Sequence, residues 1–414
     1  MARRIRRQSK AAKAVAPDST EPTAADRVIP KPVPRWRSGL SEVGSLGAVT
    51  AGRRKQRKSR RRVDPNSGVD FTAIYGGEVA TVTADDGISL AVRTVLTGGS
   101  KTGGTANWGR TATPELTVIF VHGFTLRMAS WHFQRFGLAK RWADRSIKMV
   151  FYDQRGHGAS DAAPDESCTM AQLGDDLAAV IRTMAPTGPV VLVGHSMGGM
   201  SVMSLARRHS RLFSHSGRIA GVALVSTAAR GITEAGLGEG LNNPIVGALQ
   251  VSVKYIPKAV QAGRGITRRA VEPVLVAASF GKDYYSPSAG HAVEKMIQNT
   301  PIATMVSFLR VLSSHDEATA LPVIAQVPSV VLCGDEDRLT PIHNSLNMYA
   351  QLGDDSRLVI AEGCGHMLPM EDPEAVNDAI DDLVTRSRLA LGRPMMPWRG
   401  RRDTAADRPA VRHG

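Results

Sequence analysis

The residues best equipped for chemistry lie in Val190-Val191-Leu192-Val193-Gly194-His195-Ser196-Met197-Gly198-Gly199-Met200. A serine stands in the spacing G-x-S-x-G, with an apolar run before it and a helical pattern after it. Such a serine has to project from a sharp strand-to-helix turn in a strained conformation. Gly194 and Gly198, with Gly199 beside them, leave room where a Cβ would clash. The N-terminus of the following helix aims backbone N–H groups at the same point, and these favour developing negative charge. Ser196 is the candidate nucleophile.

A serine hydroxyl is a weak nucleophile without a base. Of the eleven histidines, His366 is the best placed. It sits in the glycine-rich loop Glu362-Gly363-Cys364-Gly365-His366-Met367, directly after the last predicted strand. Open α/β sheets place their sites in such loops, at the C-terminal ends of strands. His195 is the rival. At a sharp turn its side chain points away from Ser196, so it is assigned to packing or hydrogen bonding. The base needs an orienting carboxylate, and Gly334-Asp335-Glu336-Asp337-Arg338-Leu339-Thr340-Pro341 follows another predicted strand. Asp337 is the choice and Asp335 the fallback. A second anion-holding donor is sought in Val121-His122-Gly123-Phe124, where the backbone N–H of Phe124 would join that of Met197. Asp153-Gln154-Arg155-Gly156-His157-Gly158-Ala159-Ser160 has the look of a structural turn near the site.

These loops need a scaffold. Glu78–Thr83 and Ser89–Val95 read as strands joined by the turn Asp85-Asp86-Gly87. Gly98–Thr113 reads as a loop. Leu116–Val121, Ile147–Tyr152, Val190–Val193, Ile219–Val225, Ser329–Cys333 and Arg357–Ile360 read as further strands. The first three of these are short, continuously apolar runs, the sign of buried parallel strands. Helical patterns cover Met170–Met184, Ser196–His209, His343–Leu352 and Pro373–Leu389. The alternation predicts the α/β class: a mostly parallel sheet with helices on both faces. Residues 230–320 interrupt it with helical patterns and no clear strand, and are read as a helical lid. The core is then 71–229 and 321–392, flanked by basic tails at 1–70 and 393–414. Ile245, Val246, Leu249, Val251 and Val253, with Met305, Phe308 and Leu309, suggest an apolar acyl pocket under the lid.

The five loop motifs, in this order and spacing, resemble the α/β-hydrolase superfamily over about residues 78–390. The order Ser196, Asp337, His366 is that of its Ser…Asp…His triad. The resemblance implies an α/β-hydrolase fold and neither metal nor redox cofactor. It leaves the substrate open, because one fold hosts many reactions. Epoxide hydrolases and haloalkane dehalogenases of the superfamily use Asp where this chain has Ser196, which argues against both.

The net charge of +14 does not belong to the body. Residues 64–392 carry 28 basic and 32 acidic groups, so the basic excess lies in the two ends. A specific nucleic-acid-binding fold would carry that charge on a folded face. The run Arg53-Arg54-Lys55-Gln56-Arg57-Lys58-Ser59-Arg60-Arg61-Arg62 follows the weakly apolar Leu40–Ala51. As a bland reading it is a disordered tail. As a sharper one it is a peripheral anchor on an anionic membrane. Cys168, Cys333 and Cys364 make no disulfide framework, and a reducing cytoplasm is the simplest compartment. No apolar run reaches the length of a membrane span.

The combined expectation is an enzyme that cleaves a carboxylic ester or thioester of an apolar acyl group through an acyl-enzyme on Ser196. An acyltransferase, a perhydrolase of the non-haem peroxidase kind or a C–C bond hydrolase would use the same three residues. A non-catalytic binding module has no need of Asp337 and His366 together.

Overall fold

The chain alternates short apolar runs with amphipathic ones, and in the computed structural model these become the strands and helices of one layered sheet. The structure describes residues 62–98, 114–230 and 275–392. Among them the strands are β1 (Glu78–Thr83), β2 (Ser89–Leu96), β3 (Leu116–Val121), β4 (Ile147–Tyr152), β5 (Val190–His195), β6 (Ile219–Val225), β7 (Ser329–Gly334) and β8 (Ser356–Ala361). They join in the order β1-β2-β4-β3-β5-β6-β7-β8. β1 and β2 pair antiparallel, as do β2 and β4, and every later pairing is parallel. The Asp85-Asp86-Gly87 turn closes the first hairpin, with Gly87 in the left-handed region at φ 90°.

The described helices of ten residues or more are α1 (His132–Arg141), α2 (Met170–Met184), α3 (Met197–Arg208), α4 (Pro287–Gln298), α5 (Ile302–Ser313), α6 (Ile342–Gln351) and α7 (Pro373–Ala390). β3, β5, β6 and β7 are buried along their whole length, as strands covered on both faces must be. Their side chains divide by the period of two. Ile119, Val121, Leu192 and Leu224 pack with α2 and α3, whereas Val118, Phe120, Val193 and Val225 pack with α1 and α7. Each such side chain contributes about 1.5–3 kcal/mol through burial. The sequence gives no clear apolar period over α1, because its buried face includes His132, Gln134 and Arg135.

Within the expected lid, residues 231–274 lie outside the described residues, and with them Ile245 to Val253. The chain leaves and returns at one place. Glu317 N donates to Ala229 O at 2.7 Å, and Arg230 pairs with Asp316 in an isolated bridge. The described part is a helical stretch at 275–279, then α4 and α5. Thr300, between these two helices, donates to the Thr125 carbonyl at 3.2 Å, and Phe308 on α5 packs on His157. The described part of the insertion thus sits over the loops that follow β3 and β4, at the C-terminal edge of the sheet.

Composition assigns residues 62–70 to the tail, yet they are built into the body. Asp64 Oδ1 accepts from Ser286 Oγ at 2.7 Å and its Oδ2 from Ser288 N at 2.8 Å, beside the N-terminus of α4. Asn66 Nδ2 donates to Ser286 Oγ at 3.0 Å. Polar bonds over more than 200 residues leave no mark on local composition. Residues 1–61 and 393–414, the remainder of the two expected tails, lie outside the described residues.

Candidate active site

β5 ends at His195, α3 begins at Met197, and Ser196 is the single residue between them. It has φ 53° and ψ −122°, a conformation that L-residues rarely adopt. The surroundings enforce it. A Cβ on Gly198 would overlap the Val121 carbonyl, so α3 can start this close to β3 only with glycine there. Ser196 N donates to Val225 O at 3.0 Å, and Ser196 O accepts from Thr227 Oγ1 at 2.7 Å. The turn is bolted to the end of β6 and to the loop that follows it. Gly199 N also donates to Ser196 O, at 2.8 Å. The Ser196 hydroxyl has no hydrogen-bond partner among the described residues.

His366 follows β8 in a loop and is buried. Its Nδ1 donates to Asp337, 2.9 Å from Oδ2 and 3.1 Å from Oδ1. This bond fixes the proton on Nδ1 and leaves Nε2 free to accept one. Asp337 is itself held: Leu339 N (2.9 Å), Thr340 N (2.8 Å) and Thr340 Oγ1 (2.8 Å) all donate to it. Burial alone would raise its carboxyl. The facing His366 charge and hydrogen bond, with the Thr340 donors, outweigh that and hold it below the usual carboxylate range. Asp335 faces elsewhere, with Oδ1 accepting from Gly363 N at 2.7 Å. The structure thus pairs Asp337 with the histidine and gives Asp335 to bracing the loop.

His195 is fully buried and turned away from the site. Its Nε2 donates to the His366 carbonyl at 2.9 Å, and burial pushes its pKa down to about 3. A neutral imidazole so engaged does not compete as a base. It steadies the backbone of the residue that can act as one.

The loop after β3 carries the other half of the site. Among the described residues the backbone N–H groups of Phe124 and Met197 meet no protein acceptor. Two buried histidines fix the loop on either side of Phe124. His122 accepts from Gln154 N at 2.9 Å on Nε2 and donates from Nδ1 to Gly123 O at 2.8 Å. His157 accepts from Thr125 N at 3.2 Å on Nε2 and donates from Nδ1 to Arg155 O at 2.9 Å. Burial lowers their pKa values to about 4 and about 3, so both stay neutral, as these tautomers require. Gln154 adds bonds to His122 O (2.7 Å) and from Ser201 Oγ (2.8 Å), joining this loop to α3. Gly123 lies against both His195 and Ser196, where a Cβ would press on each.

The turn after β4 braces these loops. Asp153 accepts from Met128 N at 2.7 Å and Ala159 N at 2.8 Å. Arg155, fully buried, makes a double bond pattern to Asp176 (2.6 Å twice) and another to Asp86 (2.8 and 3.1 Å). Sequence reading treated this turn only as structural and missed the parts of Gln154, His157, Thr227 and Thr340. For Thr340, three residues past Asp337, the acid-loop spacing was an available signal. For the others the partners are remote in the chain. No group of three or more metal-binding side chains forms among the described residues.

Comparison with known proteins places this geometry in a family. Residues 118–379 match the model of the Alpha/beta hydrolase family. The chain is 26% identical over 270 residues to a non-heme haloperoxidase of Rhodococcus erythropolis, covering 63% of this chain and 89% of that protein. It is 25% identical over 281 residues to a bifunctional esterase/perhydrolase of Acinetobacter calcoaceticus, covering 66% and 91%. A thermophilic esterase from Thermogutta terrifontis superposes with a TM-score of 0.58 at 25% identity, over 75% of this chain and 99% of that one.

Proposed function

The chain belongs to the alpha/beta hydrolase family, and from that premise we propose that it is a serine hydrolase of carboxylic esters or thioesters with an apolar acyl group. The observation that carries this reading is the pairing of buried Asp337 with His366 Nδ1 at 2.9 Å, at the same sheet edge as the strained Ser196. In the proposed reaction His366 Nε2 takes the Ser196 proton as Oγ attacks the acyl carbonyl. Asp337 stabilises the imidazolium that results. The free N–H groups of Phe124 and Met197 receive the oxyanion, and each such donor contributes about 3 kcal/mol to the transition state. His366 then hands the proton to the leaving alcohol or thiol. Water, activated by the same imidazole, releases the acid from Ser196.

The expected result with p-nitrophenyl esters from acetate to palmitate is turnover that Ser196→Ala abolishes. Failure to hydrolyse any of the series would overturn the ester reading. The haloperoxidase and perhydrolase names of two relatives favour a second reading, in which peroxide replaces water at the acyl-enzyme. Peracid formation from ester and peroxide, measured against plain hydrolysis, separates the two.

We also propose that the polybasic run Arg53–Arg62 meets an anionic membrane. What supports this is its point of attachment: Arg62 donates to Asp283 O at 3.4 Å, on the insertion side of the body. Co-sedimentation with vesicles containing anionic lipid, lost on deleting residues 1–61, is the expected result. Binding that survives the deletion would overturn it.

A further inference from the structure

One buried carboxylate beside the site takes no part in the chemistry above. Glu371 sits in the short helical turn Leu368–Glu371, five residues after His366. Its Oε2 accepts two backbone bonds at once, from Gly365 N at 2.9 Å and from Gly281 N at 2.7 Å. Its Oε1 is buried and has no partner among the described residues. Gly365 precedes the base, and Gly281 belongs to the insertion, between its helical stretch at 275–279 and α4. On the other side of the base, Met367 N donates to Ser279 O at 2.7 Å. The residues flanking His366 are therefore both tied to 279–281. The two backbones cross so closely that a Cβ on Gly365 would overlap Gly281 N, and a Cβ on Gly281 would overlap Gly363 O.

We propose that Glu371 is a positioning residue for His366: as a carboxylate it pins the base-carrying loop to Gly281 of the insertion, and protonation loosens that pin. This rests on the serine-hydrolase reading only for what the base does, not for the pin itself. A charged acceptor makes hydrogen bonds about twice as strong as a neutral one, and here one oxygen serves two donors. The groups that face Glu371 are Asp337 and His366 from the site, Cys364 on the base loop, Tyr284 from the insertion, and the neighbouring Asp372. Burial is the main cause that raises its carboxyl, to about 7, and Asp337 adds to it. The sign follows: the pin is full above neutrality and fades as pH falls through it. Loss of the Glu371 charge then steepens the acid limb of activity.

The test uses Glu371→Gln, which keeps shape and an acceptor oxygen but cannot ionise. The rate of fluorophosphonate labelling is followed from pH 5 to 9, which needs no knowledge of the substrate. The expected wild-type acid limb exceeds a slope of one, reaching about 1.5, and the variant's stays near one, with the variant's labelling at pH 8 reduced about tenfold. A wild-type limb of slope one, or an identical slope in the variant, overturns the proposal. Amide exchange of the peptides spanning 279–282 and 363–367 gives a reading independent of catalysis. Wild type is expected to gain protection between pH 6 and 8 beyond the intrinsic change, and the variant not. Equal behaviour of the two overturns the pin even if the protein labels no probe at all. Should the variant fail to fold, the wild-type slope and wild-type exchange decide alone.

Discussion

The two halves of the site are held by different means. Ser196 is placed by steric exclusion within one short stretch: a buried strand, a strained residue, and a glycine that lets α3 start against β3. His366 is placed by polar bonds from distant parts of the chain, to Asp337, to Ser279 and through Glu371 to Gly281. The first half resists change because its alternatives overlap atoms. The second can shift, because hydrogen bonds give way more gradually than repulsion does. Movement that admits substrate is therefore expected at the loop carrying His366 and at residues 279–281 that touch it, with Ser196 staying fixed.

The sharpest way to break this comparison is at the two acids. Asp337→Asn should lower kcat about 10⁴-fold, since the imidazole loses the partner that sets its tautomer. Asp335→Asn should lower it less than about tenfold, because the Asp335 carboxylate braces Gly363 N and does not face His366. Steady-state kinetics of the two variants decides, and equal losses would show that the acid assignment is wrong. Next comes a pair of glycines. Gly198→Ala should destabilise the fold by about 3 kcal/mol or more, the overlap being with strand backbone. Gly365→Ala also meets backbone, but of a loop segment, so its stability loss should be nearer 1–2 kcal/mol with a larger fall in kcat. Urea unfolding beside kinetics separates these. If Gly365→Ala proves the less stable of the two, the contrast between fixed and yielding halves fails.

Most of the fixed half was legible in the sequence, and less of the yielding half. G-x-S-x-G between an apolar run and a helical pattern is a local signature, so Ser196, Met197 and the role of Gly198 followed from neighbours in the chain. β3, β5, β6 and β7 could be read because strands covered on both faces are almost continuously apolar. Helix α3 differs by one residue at each end from its expected span, Ser196 standing just outside it. His366 and Asp337 could be found from the loops that carry them. What holds those loops could not: Glu371 reads as one more acid on a helical turn, and its two donors belong to segments 90 and 6 residues away. His157 and Gln154 were hidden likewise, since a glycine-rich turn does not say which loop it supports.

A smaller effect tests the oxyanion loop. His157→Leu removes the acceptor of Thr125 N and should reduce kcat about tenfold with KM little changed, as a donor of the loop goes unpaired. A fall in stability with unchanged kcat would show that Phe124 needs no such support. The smallest effect concerns pH. In the folded protein burial keeps His122, His157 and His195 neutral down to about 4, 3 and 3, whereas free imidazoles take protons near 6.5. The unfolded chain then binds more protons, so stability is full above about pH 6.5 and declines as pH falls towards 4. Melting temperature across that range should drop, and less steeply in His157→Leu than in wild type. Parallel slopes would show that His157 does not contribute.

The central claim is that Ser196 is an activated nucleophile. A fluorescent fluorophosphonate applied to the wild type, Ser196→Ala and His366→Ala, with the labelled peptide identified by mass spectrometry, tests it directly. Labelling of the wild type alone is expected, on the peptide that contains Ser196. A well-folded wild type that takes no label, or takes it at another serine, would contradict it.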